Sequence, residues 1–323
     1  MPRIIKIPSD TGVSSNFSAS FTVTVGAGGD YASMNLALTA LSEMVPLYVS
    51  EGFSATINIL TGTVMSEQVI IVNEDFSWVN ITSDDAQVVF NRSALTQKES
   101  DVAGFEGSLD NAAALFMATN GSKTPRINTI FSMDTTGTAD YSLHGMYLTR
   151  GSTGFIEPNA GFHDTDGCGV LLNFSSTLVA PNANFDNNGR EDASAGSIDL
   201  GAIKGQWQSI VTAPSINVTN PVGSGVVIIG GSVATIRGAT ITGAGDKGVL
   251  AGGVSQVHAR SVDVTLCDTG LYAAEGALMR LIQSNISDNT ANGVVVSGGA
   301  VVNSATGTTI NNNGNNGIIV SGG

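Results

Sequence analysis

A glycine-led repeat constrains the fold of the second half of this chain more than any other feature. Asn292-Gly-Val-Val-Val-Ser-Gly-Gly299 returns 24 residues later as Asn316-Gly-Ile-Ile-Val-Ser-Gly-Gly323. Similar openings recur every 22 to 29 residues, at Gly145, Gly169, Gly196, Gly225, Gly248, Gly270, Gly293 and Gly317. A second, apolar column follows later in each repeat, at Phe162, Phe185, Ile216, Ile241, Val264, Ile286 and Ile310.

Repeats of this length predict the coils of a parallel β-helix. Each repeat holds short β-branched runs separated by Gly, Asn and Asp, which supply the positive φ angles of sharp turns. Stacked coils pair their backbones about 4.8 Å apart and bury one row of side chains each. The polar run Asn311-Asn-Asn313 is in register with the other turns, which favours a corner ladder of amides over an aggregation-prone tract.

The first part of the chain predicts a capped start to this stack. Phe21–Val25 has the pattern of a strand, and Tyr31–Met44 that of a helix with Asp30 as its N-cap. The intervening Gly26-Ala-Gly-Gly29 lacks the Gly-Lys-Ser/Thr of a phosphate loop, so we interpret the helix as a plug over the first coil. Less regular strands follow, at 56–60, 68–72, 78–82 and 88–91, and residues 96–125 form an irregular excursion.

Composition excludes several classes of function. The net charge of −14, from 13 basic against 27 acidic residues, argues against nucleic acid or an anionic membrane as a partner. No apolar run approaches the roughly 20 residues of a membrane span. Met1–Asp10 lacks the apolar region of a secretory signal. We therefore expect a β-rich protein made without an export signal.

These residues resemble the pectin-lyase-like superfamily of right-handed parallel β-helices. The resemblance rests on the strand–Gly-Gly-Asp-Tyr–helix opening, on Ala55-Thr-Ile-Asn-Ile-Leu-Thr-Gly-Thr63, and on the glycine-led coils. It covers roughly residues 21–323. It implies an all-β fold, a right-handed parallel β-helix with a short N-terminal helical cap, but not one chemistry, because this fold hosts enzymes and pure binders.

Within that superfamily the chain is similar to spike or tail-fibre proteins of tailed phages, prophages and gene transfer agents. The resemblance implies a homotrimer on the virion surface that binds bacterial surface polysaccharide. Residues 1–20 are then an arm that docks onto the baseplate or another particle protein, 21–55 the strand and capping helix, and 56–323 the β-helix. The stack ends at Gly323 without a cap, which we interpret as a truncated protein or an end covered by other chains.

Carboxylates on neighbouring coils are the candidate catalytic groups. Aligning Phe162 with Phe185 places His163 beneath Asp186 and Asp164 beneath Asn187. Asp164 and Asp186 are candidates for an acid and a base or nucleophile, with His163, Glu191 and Asp192 as alternates in the same turn region. The other interpretation is that Asp and Asn are simply what β-helix corners use.

Candidate ligand-binding residues fall into two sets. Gln206-Trp207-Gln208 lies in one of the two longest coils, and an exposed Trp between amides suits stacking on a sugar ring. A short cationic strip is predicted from Arg237 aligned with Arg260, and His258 aligned with Arg280. Such a strip suits an anionic glycan or the developing charge of a lyase reaction, although outward strand positions are often polar by chance.

Metal, cofactor and disulfide chemistry are not predicted. The three histidines His144, His163 and His258 show no metal-ligand spacing. Cys168 and Cys267 are about four coils apart, or about 19 Å, far beyond disulfide reach. They are expected to be free and partly buried thiols.

Three functions remain open from the sequence. A receptor-binding spike that holds glycan without turnover is favoured over a polysaccharide depolymerase of the hydrolase or, less favoured, the lyase type. A secreted pectin-degrading enzyme or adhesin is disfavoured by the missing signal peptide. The first two differ in whether Asp164 and Asp186 line an open groove at reacting distance.

Overall fold

The computed structural model describes residues 20–44, 53–102, 112–134, 143–190 and 200–322. Three sets of predicted positions lie outside the described residues: residues 1–19 of the predicted arm 1–20, the alternates Glu191 and Asp192, and the repeat position Gly196. No helix within these ranges is long and apolar enough to cross a membrane.

The described chain forms a parallel β-helix of three long sheets, and from Val69 onward it passes in turn through sheet C, sheet A and sheet B. Within each sheet, neighbouring strands pair in parallel. The eleven strands of sheet A are β1 Phe21–Val25, β2 Ala55–Ile59, β4 Val79–Ser83, β7 Lys123–Ile127, β10 Thr153–Ile156, β13 Thr177–Val179, β16 Ile210–Thr212, β19 Val233–Thr235, β22 Gln256–Arg260, β25 Leu278–Ile282 and β28 Val301–Ser304.

Sheets B and C complete the triangular cross-section. Sheet B contains β5 Gln87–Phe90, β8 Ile130–Met133, β11 Gly161–His163, β14 Asn184–Asp186, β17 Asn217–Thr219, β20 Thr240–Thr242, β23 Asp263–Thr265, β26 Asn285–Ser287 and β29 Thr309–Asn311. Sheet C contains β3 Val69–Val72, β6 Ala113–Thr119, β9 Leu143–Leu148, β12 Val170–Leu172, β15 Gly201–Gly205, β18 Ser224–Ile228, β21 Lys247–Ala251, β24 Thr269–Ala273, β27 Asn292–Ser297 and β30 Asn316–Ser321. The all-β solenoid predicted from the repeats is confirmed.

The N-terminal helix α1, Met34–Ser42, packs against β1 and β3 and buries Met34, Leu38 and Leu41 in the core. It is shorter than predicted, and its N-cap is Ser33 rather than Asp30. The Ser33 side chain accepts a hydrogen bond from the Leu36 amide, which satisfies one free N–H of the first turn. The Asp30 carboxylate instead accepts hydrogen bonds from the backbone and hydroxyl of Thr24 and so closes the preceding turn.

The irregular excursion is shorter than the predicted 96–125. Strands β6 and β7 belong to sheets C and A, so residues 113–127 lie in the stack and the departure from it falls between β5 and β6. Two short 3₁₀ turns, Arg92–Ala94 and Glu99–Asp101, begin this segment. An ion pair of 2.5 Å joins Arg92 Nε to the buried carboxylate of Asp166 and ties the segment to the stack.

The observed strand pairing shows that one member of the predicted glycine column was wrongly assigned. Val170 pairs with Ile203, so the counterpart of Gly169 is Ala202 and not Gly196. A single coil therefore carries the extra residues, 33 from Gly169 to Ala202, where two adjacent long coils were predicted. In the apolar column the counterpart of Phe185 is likewise Val218 and not Ile216.

Close packing explains why the two columns accompany each other. A β-carbon on Gly248 would overlap Cγ1 of Val264, which points inward from sheet B of the same coil. The same relation joins Gly225 to Ile241 and Gly270 to Ile286, with hypothetical contacts of 2.6 Å in both cases. Glycine opens these coils because the apolar side chain of sheet B occupies the space that a larger residue would need.

We predict that Gly248→Ala lowers the free energy of unfolding by about 1–3 kcal/mol, because the added methyl overpacks the core. Gly317→Ala is the matched control, since it lies in the same column but its β-carbon would stay 3.9 Å from Ile310. Denaturant titration of both variants measures the difference. If both variants lost the same free energy of unfolding, glycine would be required in this column by the backbone conformation and not by the space that the sheet B side chain leaves.

Candidate functional site

From β6 onward, the turn between each sheet C strand and the next sheet A strand, here the C–A corner, has two successive residues in the left-handed region. Glycine or Asn takes at least one of these positions in most coils: Asn120-Gly121, Arg150-Gly151, Gly230-Gly231, Gly253-Val254, Glu275-Gly276 and Gly298-Gly299. Two coils depart from this rule, with Phe174-Ser175 and Trp207-Gln208. The left-handed conformation costs an L-residue roughly 1–2 kcal/mol. Bulky aromatic residues held there mark the corner as a candidate functional site.

The two aromatic rings stack on each other. Phe174 and Trp207 occupy the same column of consecutive coils, and their ring centroids are 6.4 Å apart with planes only 10° from parallel. The Ser175 amide donates to the Trp207 carbonyl at 2.9 Å, which fixes the register of the two corners. Trp207 nevertheless keeps 47% of its surface exposed. One indole face is therefore supported from behind while the side chain remains accessible.

A buried serine holds the Trp207 corner closed. The Ser209 hydroxyl donates to the Gln206 carbonyl at 2.7 Å, across the two left-handed residues. The Ser209 amide in turn donates to the hydroxyl of Ser232, its counterpart in the next coil, at 3.0 Å. The position of Trp207 is thus set by backbone and core contacts and needs no ligand to form it.

A groove opens beside Trp207 because the next two coils have glycine in its column. A β-carbon on Gly230 would lie 3.1 Å from the Trp207 amide nitrogen, and one on Gly253 would lie 3.0 Å from that of Gly230. Glu275 follows in the third coil. Trp207 and Glu275 are thus the two ends of a groove about 14 Å long, at three steps of about 4.8 Å. Its volume is about 540 Å³.

Outward side chains at the edge of sheet C form the wall of this groove. Leu250 and Tyr272 are register neighbours on β21 and β24, and both line it, together with Ile229. Lys247 Nζ lies 5.6 Å from the Tyr272 ring centroid and 2.5 Å from a carboxylate oxygen of Asp246. The groove thus combines two aromatic rings and an aliphatic wall with both signs of charge.

The structure brings together part of the predicted Trp207 set. Gln206 is buried and lines the groove, whereas Gln208 is exposed and donates its backbone amide to Gly230 at 3.0 Å. Sequence reasoning missed Lys247, Tyr272 and Glu275. Their position in the repeat could have indicated them. Tyr272, for example, is an outward residue two places after Gly270 of the glycine column.

The carboxylates of the predicted catalytic pair lie on the outer face of sheet B, aligned as expected. His163 pairs with Asp186 in the register of β11 and β14. The Asp164 carboxylate accepts hydrogen bonds from Ser132 at 2.7 Å and from Asn187 at 2.8 Å. Asp186 accepts one from Thr219 at 2.7 Å. Both carboxylates therefore link adjacent coils, and neither lines the groove of Trp207.

His163 is half-buried; it directly precedes Asp164 and is the register neighbour of Asp186. Burial lowers the pKa of His163, while the charges of Asp186 and Asp164 act in the opposite direction. Its Nε2 atom is shielded from solvent and has no hydrogen-bond partner among the described residues. A histidine beside two carboxylates is compatible with proton transfer, but it equally completes a polar ladder on the outer face of sheet B.

The predicted cationic strip lies at the far edge of sheet A. His258 pairs with Arg280 in the register of β22 and β25, as the sequence alignment predicted. The Gly238 amide donates to the Arg260 carbonyl at 2.8 Å, which places Arg237 beside Arg260 on the neighbouring coil. All four side chains are exposed.

Neither Cys168 nor Cys267 forms a disulfide, as predicted, and both are fully buried where partial burial was expected. Burial raises the pKa of the Cys267 thiol to about 11, so the thiol stays protonated at neutral pH. His144 is fully buried, and its Nδ1 accepts a hydrogen bond from the Cys168 amide at 2.7 Å. Burial, aided by the charge of Lys204, lowers the pKa of His144 to about 3.

Comparison with known proteins agrees with the architecture. Residues 208–323 match the family model described as a right-handed beta helix region. The fold is a right-handed parallel β-helix. The resemblance to the pectin-lyase-like superfamily is thus confirmed for the fold. No curated protein sequence matches the chain.

Two solved structures are similar in outline. Both are variants of the catalytic domain of a GH87 alpha-1,3-glucanase in complex with nigerose. Each is 13% identical to this chain and covers 93% of this chain and 67% of its own, with TM-scores of 0.36 and 0.37. At this sequence identity and these TM-scores, the similarity is not evidence about the activity of this chain.

We predict that acid destabilises the protein through His144. Its pKa in the folded state lies below its unfolded value of about 6.5, so only the unfolded chain takes up this proton as the pH falls. The contribution of His144 is complete above that value and falls by about 2 kcal/mol between about pH 7.5 and about pH 5. Denaturant titrations at both pH values measure it.

His144→Gln is the test variant, because a glutamine carbonyl can still accept from the Cys168 amide but does not titrate. The variant is expected to lose this part of the pH dependence whatever its overall stability. An unchanged pH dependence would assign the acid sensitivity to other groups.

Proposed function

We propose that this protein binds polysaccharide, and that the groove between Trp207 and Glu275 is its glycan site. The observation that carries the proposal is Trp207 itself, an aromatic residue in the left-handed region, half exposed and supported by Phe174. Nothing in the packing of the coil requires an aromatic residue there, since glycine occupies that column in the next two coils. The strain is accounted for by a ligand that stacks on the indole ring.

The lining of the groove fits a sugar better than a purely apolar ligand. A sugar ring presents an apolar C–H face, which packs on an aromatic ring, and a rim of hydroxyl groups that need hydrogen-bond partners. Trp207 and Tyr272 supply the aromatic faces, while Glu275, Lys247 and Gln206 supply polar groups along the same groove. The groove is open and elongated, which suits a segment of a chain.

The finer proposal is that this binding serves receptor recognition on the surface of a virion or phage-like particle. It rests on the sequence resemblance to tail-fibre and spike proteins and on the repeat architecture. In this proposal a homotrimer presents three grooves to bacterial surface polysaccharide, and residues 1–20 attach the spike to the particle. Neither the trimer nor the attachment is needed for the glycan site itself.

We predict that Trp207→Gly weakens glycan binding roughly tenfold or more, because it removes the stacking face. Glycine also relieves the left-handed strain, so the melting temperature is not expected to fall. Calorimetric titration with surface oligosaccharides of candidate host bacteria, alongside thermal melts, measures both effects.

Leu266→Ala is the matched control, because Leu266 is also left-handed and is 59% exposed at a different corner. It is expected to bind glycan like the parent protein. If Trp207→Gly bound as tightly as this control, the groove would not be the glycan site.

A polysaccharide depolymerase is the second candidate function, favoured by the convergence of Asp164, Asp186 and His163 on one face of sheet B. The hydrogen bonds that occupy both carboxylates favour a structural role for them. We therefore predict that the protein leaves bound polysaccharide at its original length, measured by size-exclusion chromatography after prolonged incubation.

Shortened chains would contradict that prediction, and two variants would then decide the site. Loss of shortening in both Asp164→Asn and Asp186→Asn would identify a hydrolase at the predicted pair. Shortening that persists in both, with new absorbance from unsaturated sugars, would instead indicate a lyase and direct attention to Arg237, Arg260 and His258.

A further inference from the structure

Four cationic or titratable side chains lie together on three consecutive coils, at the edge of sheet A that faces sheet B. We call this set the cationic strip: Arg237 after β19, His258 and Arg260 on β22, and Arg280 on β25. Three coils span about 10 Å along the axis at about 4.8 Å per step. The chain as a whole carries a net charge of −14, so positive charge concentrated this way runs against its composition.

The arginines of the strip have no carboxylate partner among the described residues. Ion pairs elsewhere in the described chain join Arg92 to Asp166, Lys123 to Asp75, Arg126 to Glu157 and Lys247 to Asp246. The acidic residue nearest the strip in sequence, Asp263, accepts a hydrogen bond from Asn285. Like charges on neighbouring strands repel one another. An anionic ligand would neutralise the strip where the protein does not.

The strip has a concave form as well as charge. One shallow groove of about 190 Å³ is lined by all four side chains, with Ala259 and Ile282 at its base. A second, of about 240 Å³, shares Arg237 and Arg260 and extends over Pro214 and Ser215. Gln283 accepts a hydrogen bond from Arg260 at 3.4 Å and helps to orient its guanidinium group.

We propose that the cationic strip binds successive anionic groups of an acidic polysaccharide. This deepens the proposed function and rests on it for the ligand being a glycan. A guanidinium group pairs with a carboxylate or a phosphate through two parallel hydrogen bonds, so the strip suits sugars bearing either group. A long nucleic acid is a poorer fit, because the surrounding acidic surface repels a densely charged backbone.

The strip and the Trp207 groove belong to the same coils. Gly230 and Arg237, Gly253 and Arg260, and Glu275 and Arg280 each share one coil, at opposite edges of sheet A. Seven residues of nearly extended chain separate Gly253 from Arg260, which is about 23 Å. One chain of an acidic polysaccharide crossing the outer face of sheet A reaches both sites.

The test compares two double variants that change the net charge equally. Arg237→Gln with Arg260→Gln removes two charges of the strip. Lys123→Gln with Arg126→Gln removes two charges already paired with Asp75 and Glu157. Polygalacturonate, poly(glycerol phosphate) and neutral dextran are the probes, titrated against each folded variant at low ionic strength.

We expect the strip variant to bind at least one of the two charged polymers roughly tenfold more weakly per charge removed, and the control to bind it like the parent protein. The polymer that responds identifies the anionic group as carboxylate or phosphate. Raising the salt concentration is expected to reduce the difference.

Two outcomes would overturn the proposal. The first is that neither charged polymer binds the parent protein, or that both double variants lose affinity equally. The second is that double-stranded DNA, titrated as an additional probe, loses as much affinity in the strip variant as the charged polymers do, which would indicate a general polyanion surface.

Failure of the groove is distinguishable from failure of the strip. Trp207→Gly could leave the affinity for every glycan unchanged while the strip variant binds a charged polymer more weakly. In that case the glycan site would be the strip alone. If only Trp207→Gly weakened binding, the groove would stand and the strip proposal would fall.

Discussion

The repeated pairing of each coil with the next is the constraint on which the rest of this structure depends. Parallel hydrogen bonding fixes a step of about 4.8 Å between equivalent residues in all three sheets. Any side chain placed at one position of the coil is therefore aligned with its equivalents above and below it. That one alignment produces four features described above: the hydrogen bond between Ser209 and Ser232, the contact between Asp164 and Asn187, the stack of Phe174 on Trp207, and the cationic strip.

The same alignment explains what the sequence was able to predict. Where coils differ little in length, at 22 to 24 residues from Gly225 to Gly317, the glycine and apolar columns set the register directly, and the neighbours His258 and Arg280 followed from it. The prediction slipped at Gly196, because one coil carries all the extra residues and Ala202 replaces the glycine. The N-cap was misassigned because Asp30 and Ser33 both suit a helix start, and only tertiary contacts with Thr24 distinguish them.

The candidate groove was less predictable than the fold, for a physical reason. Trp207 was recognisable as an unusual residue, but a groove requires knowing which side chains are absent beside it. Gly230 and Gly253, one and two coils further along, form its floor, and Glu275 and Tyr272 both come from the third coil. A sequence read one repeat at a time does not show that these positions are adjacent. The geometry of the corner, and not any motif, unites them.

The proposed groove and the cationic strip lie about 23 Å apart, at opposite edges of sheet A, and this separation would affect how glycans of different length are held. A short oligosaccharide would engage one site and dissociate from it freely. A long chain bound at one site would present its next segment to the other at a high effective concentration, so that the two weak contacts would reinforce each other without any change in the protein. Because strand pairing fixes the separation, the β-helix would act as a gauge of chain length, retaining polymers and releasing their fragments.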